Sequence, residues 1–405
     1  MFVQGYSLCM KINITQYKKY FRGILISVLL FVNPGRICSA QSEQPPPIDI
    51  VFCVDLSGST NGIIEHLRNN LWHFIHELEQ LEPVPDYRIG FIGFSRPSFG
   101  KEYSYVKVIR NLSYDTEWLS SEMFSLRSQI EQGNQFVGAA LMTCVKSINW
   151  SVDPNAVKLV FLCGNGFVNS DGDLYKKACE MAVAKGIIIH ALYWQSYTLP
   201  KELWGWRGIA SLSGGKFFSV DVSYNETASD TGFDTDKLME LDEELNRTYV
   251  YYGNLGKLRY KMMEEQDRRI YEESNRGFRY RMDYKISPKY QKKNSAWDLV
   301  DFSDKAYLEL KDFNVKQLPD SLQKVEDGEF NALVEKKKYA RFRILIEIRK
   351  MLEQRAKQER EAITEFLEGQ KQTRLEWEEQ KKPRLDNLII RLTLEAAQAK
   401  GYKIK

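Results

Sequence analysis

"VFCVDLSGST", Val51 to Thr60, closes an apolar run with one acid and two spaced serines. With the residues just before it, "IDIVFCVD" has the continuous apolar character of a parallel strand covered on both faces. Asp55 then falls at the strand's carboxyl end, the place where open α/β sheets bind ligands. Asp55, Ser57 and Ser59 put a carboxylate and two hydroxyls on a single turn. A hard cation such as Mg²⁺ wants about six oxygens near 2.0–2.1 Å, so the serines could bind directly and the aspartate through water. The plainer alternative is a strand end followed by a helix cap, with Ser57 or Ser59 serving a helix that begins at Thr60.

Outward from this stretch, strands alternate with helices as far as Asp221. "YRIGFIGF" (Tyr87 to Phe94), "YVKVIR" (Tyr105 to Arg110), "VKLVFLCG" (Val157 to Gly164), "IIIHALYW" (Ile187 to Trp194) and "KFFSVD" (Lys216 to Asp221) have strand character. Helical patterns cover Thr60 to Leu81, Thr116 to Ile130, Val137 to Ile148, Asp173 to Gly186 and Lys201 to Gly215. Such alternation predicts a mostly parallel sheet flanked by helices. The α/β domain is placed at 48–232. Beyond it, at 233–405, strand patterns give way to charged, helix-favouring residues. Phe330 to Leu367 reads as one long helix and Pro383 separates it from a shorter one. Phe342, Leu345, Ile346, Ile348 and Leu352 suit a helical hairpin or coiled coil there, with room for self-association.

At the front, Lys18, Lys19 and Arg22 precede the apolar run Ile24 to Val32, and Cys38-Ser39-Ala40 has cleavage-site character. Residues 1–40 are expected to be an export signal, followed by a proline-rich linker at 41–47. Export predicts a protein of the periplasm, cell envelope or extracellular space, with membrane contact limited to the signal or to envelope association. The net charge of +3 and the lack of a basic, aromatic-interleaved surface argue against a nucleic-acid partner. Cys53, Cys144, Cys163 and Cys179 follow the signal, all within predicted strands or helices. Buried free thiols are expected, with Cys53 and Cys163 the pair to check for a disulfide.

His66, His73, His76 and Glu77 occupy the first helix, mostly off its apolar stripe. A solvated face is the expectation and a zinc site the alternative. His190, inside a strand, reads as a core histidine. No nucleophile elbow, phosphate loop or Cys-x-x-Cys pair is present, so the chain is expected not to be an enzyme.

Asp55-x-Ser57-x-Ser59, the Gly138-x-Ala140-Leu141 helix start and the order of elements make 48–221 resemble a von Willebrand factor type A (vWA) domain. The resemblance implies a Rossmann-like fold and a metal-ion-dependent adhesion site at the top of the sheet. Two loops depart from the family's pattern. Gln135 stands where a threonine is usual, and Gly164-Asn165-Gly166 replaces Thr-Asp-Gly. Asn165 can hold a metal-bound water but brings no charge, and ligand charge governs affinity for hard cations. Asp171 and Asp173 lie on the same edge, where a solvated loop is the expectation and compensation for the missing charge the alternative. "LNRTYVYYGNLG", "NSAWDLVD" and "QLPDSL" further resemble the helical tail of a group of exported bacterial vWA proteins. Trp297, with Asp298 and Asp301, either anchors that tail or forms a binding surface.

The implied site is Asp55, Ser57, Ser59, Gln135 and Asn165, holding Mg²⁺, Mn²⁺ or Ca²⁺ weakly. The expected function is protein binding at the sheet top. The alternative is a structural or assembly role for the helical tail, with the metal site vestigial.

Overall fold

The computed structural model describes residues 45–60, 62–126, 134–195, 200–221, 233–303, 313–370 and 384–404. The expected export signal, part of the linker, the end of the helix predicted to reach Ile130, and Pro383 lie outside the described residues. From Pro45 to Lys405 the chain forms one compact unit.

The apolar runs become the strands, and the two central ones, Ile48–Asp55 and Val157–Gly164, are buried at every position. The first of these is β1. A two-residue β2 (Leu81–Glu82) precedes β3 (Tyr87–Phe94) and β4 (Val106–Ser113), and β5 (Val157–Gly164), β6 (Ile188–Gln195) and β7 (Phe217–Asp221) follow. Among the described residues the main sheet has six strands in the order β4-β3-β1-β5-β6-β7. Every pairing is parallel except that of β4 with β3, so the sheet is mostly parallel as the apolar runs predict. Counting only these strands, the order is 3-2-1-4-5-6, a doubly wound sheet that reverses direction between β1 and β5.

The period-2 pleat divides β1 between two cores. Ile50, Phe52 and Val54 face one side, under α1 (Ile63–Glu79), while Val51 and Cys53 face the other. On that second side lie α3 (Val137–Lys146), α4 (Leu174–Ala184) and α5 (Pro200–Leu212); α2 (Thr116–Ser125) follows β4. All four described cysteines are free and buried. Cys53 and Cys163 point into opposite cores, so the pleat rules out the disulfide the sequence singled out for checking.

The charged second half forms α6 (Thr235–Asn246), α7 (Gly253–Glu273), α8 (Asn275–Lys285), α9 (Pro288–Asn294), α10 (Leu299–Phe302), α11 (Asp327–Gln370) and α12 (Leu385–Gln398). Much of it covers the outer face of α1. Here the expectation of a solvated histidine face fails. His66 Nε2 lies 3.2 Å from Asp386 Oδ1 of α12, and His73 is buried, its ring stacked 4.2 Å from Tyr280 of α8. Arg384 also donates to both Asp386 oxygens, at 2.9 and 3.1 Å. Burial alone would raise this carboxyl, yet the His66, His73 and Arg384 contacts hold it far below the usual carboxylate range. A polar helix face met by other helices is partly covered, with His73 buried and His66 half-buried, and one-dimensional periodicity does not distinguish it from a wet one.

The deepest charges also tie the two halves together. Arg281 and Lys285, both fully buried on α8, reach Glu117 on α2, Asp242 on α6 and Asp267 on α7. Arg281 lies 4.3 Å from the ring centroid of Trp72 on α1, a cation–π contact inside the core. Trp297 proves to be an anchor, buried and stacked 5.6 Å from Tyr249. Asp298 and Asp301 beside it accept from Arg341 at 2.6 Å each, docking α11. His190 is a satisfied core histidine. It accepts the Lys216 N–H at 3.1 Å, and burial drives its pKa down to about 4. The last described residues, Lys403–Ile404, form β8 against β2, and Tyr402 donates to Pro46 O at 2.7 Å.

Candidate functional site

The strand order fixes where a ligand crevice opens. It lies outside the carboxyl ends of β1 and β5, where neighbouring connections leave the sheet in opposite directions. Asp55 ends β1 and Asn165 follows β5, so both stand at that crevice. Five side chains expected at the site, from three separate loops, meet there.

The first loop folds on itself. The Ser57 N–H donates to Asp55 Oδ1 at 2.9 Å, and Thr60 Oγ1 donates to the carbonyls of Asp55 and Ser57 at 2.8 Å each. A short 3₁₀ turn, Gly58–Thr60, separates this loop from α1, so the helix starts at Ile63 rather than Thr60. Neither Ser57 nor Ser59 caps it. The cap position falls to Gly62, whose N–H is accepted by Glu65 at 3.1 Å. The serines are thereby left to the crevice. Ser57 Oγ and Ser59 Oγ are 3.0 Å apart, and Ser59 Oγ donates to Asn165 Oδ1, also at 3.0 Å.

Gln135 closes the centre. Its Nε2 donates to Asp55 Oδ2 at 2.9 Å and to Asn165 Oδ1 at 3.0 Å. Two facing acceptors dictate that orientation, because a turned amide would set oxygen against oxygen. The amide oxygen rests on Gly166, where any Cβ would come within 1.8 Å of it; Gly166 also has a φ of +84°. The left-handed backbone favours glycine here, and any side chain would also have to displace the Gln135 amide. At Gly164 a Cβ would meet the Asp55 Cβ at 2.7 Å, so that glycine lets β5 approach β1 beneath the site.

Asp55 is almost wholly buried. Burial pushes its pKa up to about 6, although Ser57, Ser95 and Gln135 each pull it back. A buried carboxyl shifted toward neutrality at a crevice is a mark of functional sites. Ser95 went unnoticed in the sequence. It follows the end of β3 with a φ of 71° and is fully buried. Ser104 and Tyr105, in the same loop, complete the set of left-handed non-glycine residues among the described residues. Such strain costs about 1–3 kcal/mol per residue and gathers at binding sites. No sequence pattern signals it.

Asp171 and Asp173 do not join the centre. Asp171 Oδ2 accepts the Ala139 N–H at 2.8 Å, capping α3, while Asp173 pairs with Lys176 at the surface. The Gly138 start of α3 has no room for a side chain, because a Cβ would come within 2.7 Å of the Tyr175 backbone N and 2.8 Å of Asp171 Oδ1.

The donor set can be tested against a hard cation. Octahedral ligands at 2.0–2.1 Å sit about 2.9 Å from their neighbours. The Ser57, Ser59 and Asn165 oxygens, spaced at 3.0 Å, match that edge. Asp55 lies behind them as a single negative charge. Gln135 fits only with its amide turned over. Three oxygens suit an ion, but the charge is scant and one ligand faces the wrong way.

The rim is apolar. Glu202 accepts the Gly166 N–H at 3.2 Å and the Tyr193 hydroxyl at 2.6 Å, and Trp206 Nε1 donates to Gly166 O at 2.8 Å. These bonds seat α5 against the loop after β5. Gly205 lies so close to Val168 that a Cβ would come within 2.3 Å. The consequence is that Phe167 and Trp204, 42% and 79% exposed, stand on one rim of the crevice. On another side Phe136, next to Gln135, packs 5.7 Å from Tyr105, with Tyr103 exposed nearby.

No family model matches the chain, and no curated protein matches it. Among solved structures it is similar to the pilus adhesin SpaC from Lactobacillus rhamnosus GG in its open conformation. The identity is 16% over 44% of this chain and 28% of that one, with a TM-score of 0.33. A von Willebrand factor type A protein from Catenulispora acidiphila is similar at 15% identity over 44% of this chain and 39% of its own, with a TM-score of 0.33. The SpRpn10 VWA domain is similar at 13% over 45% of this chain and 90% of its own, with a TM-score of 0.34. The chain thus spans under a third of the adhesin's length. Likeness this distant says nothing of what the crevice binds.

Proposed function

We propose that the chain is a non-enzymatic protein-binding module that captures its partner at the top of the sheet. The observation that carries this is the exposed aromatic rim, Trp204 and Phe167, set on a strained, polar crevice at the point where the strand order reverses. Exposed aromatics around a desolvated polar centre are typical binding hot spots. We place the module outside the cytoplasm, on the strength of the leader-like residues 18–40. No described helix is long and apolar enough to cross a membrane.

We also propose that Ser57, Ser59 and Asn165 hold a divalent cation weakly, with Asp55 behind them. When bound, the ion would supply a Lewis-acidic position for a partner carboxylate. Gln135 opposes this, because its amide must give up two hydrogen bonds before it can offer its oxygen. Each is worth about 1 kcal/mol net, so the barrier to occupancy is about 2 kcal/mol. Gln135→Thr is accordingly expected to tighten Mg²⁺ or Mn²⁺ binding ten- to thirtyfold in calorimetric titration. Equal heats from both proteins would remove Gln135 from the account.

The same closure favours a second reading, in which the crevice is vestigial and the helical tail performs an assembly role. Partner capture from envelope extract, quantified against the wild type, separates the two. Trp204→Ala is expected to weaken capture by at least tenfold, as truncation of a hot-spot residue does. Capture unchanged in both Trp204→Ala and Asp55→Ala would shift the function to the tail.

A further inference from the structure

Helix α11 docks one face on the body and turns the other to solvent. Phe330, Val334, Arg341, Ile348 and Leu352 recur at helical spacing and are buried. Tyr339, Phe342 and Ile346 stand at i, i+3 and i+7 on the outward side and are 66%, 62% and 49% exposed. Among the described residues no other helix or strand exposes three large apolar side chains. Single exposed apolar residues are ordinary, whereas a row of them marks a surface that meets a protein or a membrane.

Charge separates the possible occupants. Within 335–350, Lys337 donates to Arg247 O at 2.5 Å and Arg341 to Asp298 and Asp301 at 2.6 Å each, so both serve the docked side. Lys336, Lys338, Arg343, Arg349 and Lys350 each stand three or four positions from a member of the apolar row, which makes them its neighbours on the helix surface. Only Glu335 and Glu347 oppose them in this stretch, which leaves a surplus of positive charge around the row. A second copy laid face to face would bring two surfaces of the same sign together. An anionic bilayer offers the opposite sign with an apolar layer behind it. The aromatic row can enter that layer while the long cationic side chains reach the phosphates. Tyrosine suits that boundary, since its ring is apolar and its hydroxyl polar. Beyond Lys350 acids outnumber cations in α11, so the contact is confined to its basic stretch.

We propose that α11 lays Tyr339, Phe342 and Ile346 on the surface of an anionic phospholipid membrane, held there by the flanking cations. This peripheral contact is separate from the crevice at the sheet top and does not depend on what the crevice binds.

Co-sedimentation with vesicles tests it. The chain from Pro45 onward is used, because it is the compact unit and lacks the apolar run at 24–32. It is expected to bind phosphatidylcholine vesicles containing phosphatidylglycerol about tenfold more tightly than pure phosphatidylcholine, and to be released by high salt. Tyr339→Ser combined with Phe342→Ser, and separately Arg343→Glu combined with Lys350→Glu, are each expected to weaken binding by about tenfold or more. All four positions are exposed, and an unchanged urea midpoint confirms that the variants fold. Trp204→Ala, at the crevice rim, is expected to bind vesicles as the wild type does. Absence of vesicle binding, equal binding to neutral vesicles, or binding unchanged in either folded double variant would overturn the proposal. So would loss of binding in Trp204→Ala, which would move the contact to the crevice. A dimer in sedimentation velocity that the serine variant dissolves would overturn it as well, by giving the row to a second copy.

Discussion

Replacing Lys285 with methionine is expected to lower the free energy of unfolding by about 3–5 kcal/mol. The ammonium is fully buried and donates to Asp242, to Asp267 Oδ2 at 2.7 Å and to Asn246 Oδ1 at 2.8 Å. Both carboxylates are themselves buried. Asp267 retains Arg281 at 2.9 Å, but Asp242 is left with only the Asn246 amide at 3.2 Å among these groups. An uncompensated buried charge, and not the lost attraction, makes the loss large. Burial already drives the Asp242 pKa upward, with neighbouring Asp267 adding to the effect. The variant should therefore recover part of its stability once Asp242→Leu is added. Urea titration at neutral pH measures both. A Lys285→Met loss below about 1 kcal/mol, or a double variant worse than the single, would show that the network does not hold the helices together.

Asp55→Asn is expected to flatten the pH dependence of stability and to stabilise the chain at pH 8 by up to about 3 kcal/mol. The native carboxyl titrates near 6, whereas an unfolded aspartate titrates near 3.9. Between these values the native state holds more protons than the unfolded state, so stability falls as pH rises. The contribution is complete below about pH 4 and gone above about pH 6. Two pKa units at 1.36 kcal/mol each give the magnitude. Asparagine at position 55 has no charge to lose, but its single oxygen can accept from only one of the Ser57 N–H and the Gln135 amide, which offsets part of the gain. Denaturation of both proteins from pH 4 to 8 tests this, and parallel curves would refute it. A carboxylate that weakens the fold at neutral pH is the sort of residue retained for what it binds.

Much of the architecture was legible because it rests on local pattern. Apolar runs such as "VKLVFLCG" give strands, amphipathic stripes give α1 and its companions, and Asp55, Ser57 and Ser59 sit where a strand end must place them. Gln135 and Asn165 were readable as departures, since each stands beside a recognisable helix start or strand end. What the sequence hid were partnerships between distant polar residues. His66 and His73 look solvent-facing until Asp386, over three hundred positions away, covers them. Lys285 sits in a charged stretch like any surface lysine, and only the meeting of α6, α7 and α8 shows its burial. The direction of the Gln135 amide was equally beyond reach, because it depends on which acceptors the other two loops present. Trp204 and Phe167 belong to the same class, being unremarkable in sequence and brought to one seam only by the packing of Gly205 on Val168.

The pairing of β2 with β8, joined by the bond from Tyr402 to Pro46, brings the two ends of the compact unit together at the start of β1. Asp55 and its rim lie at the other end of that strand. Attachment at either end of this unit would thus leave the crevice at the opposite end of β1 from the point of attachment. A pull exerted from the crevice would run the length of the buried β1 before it reached those paired ends.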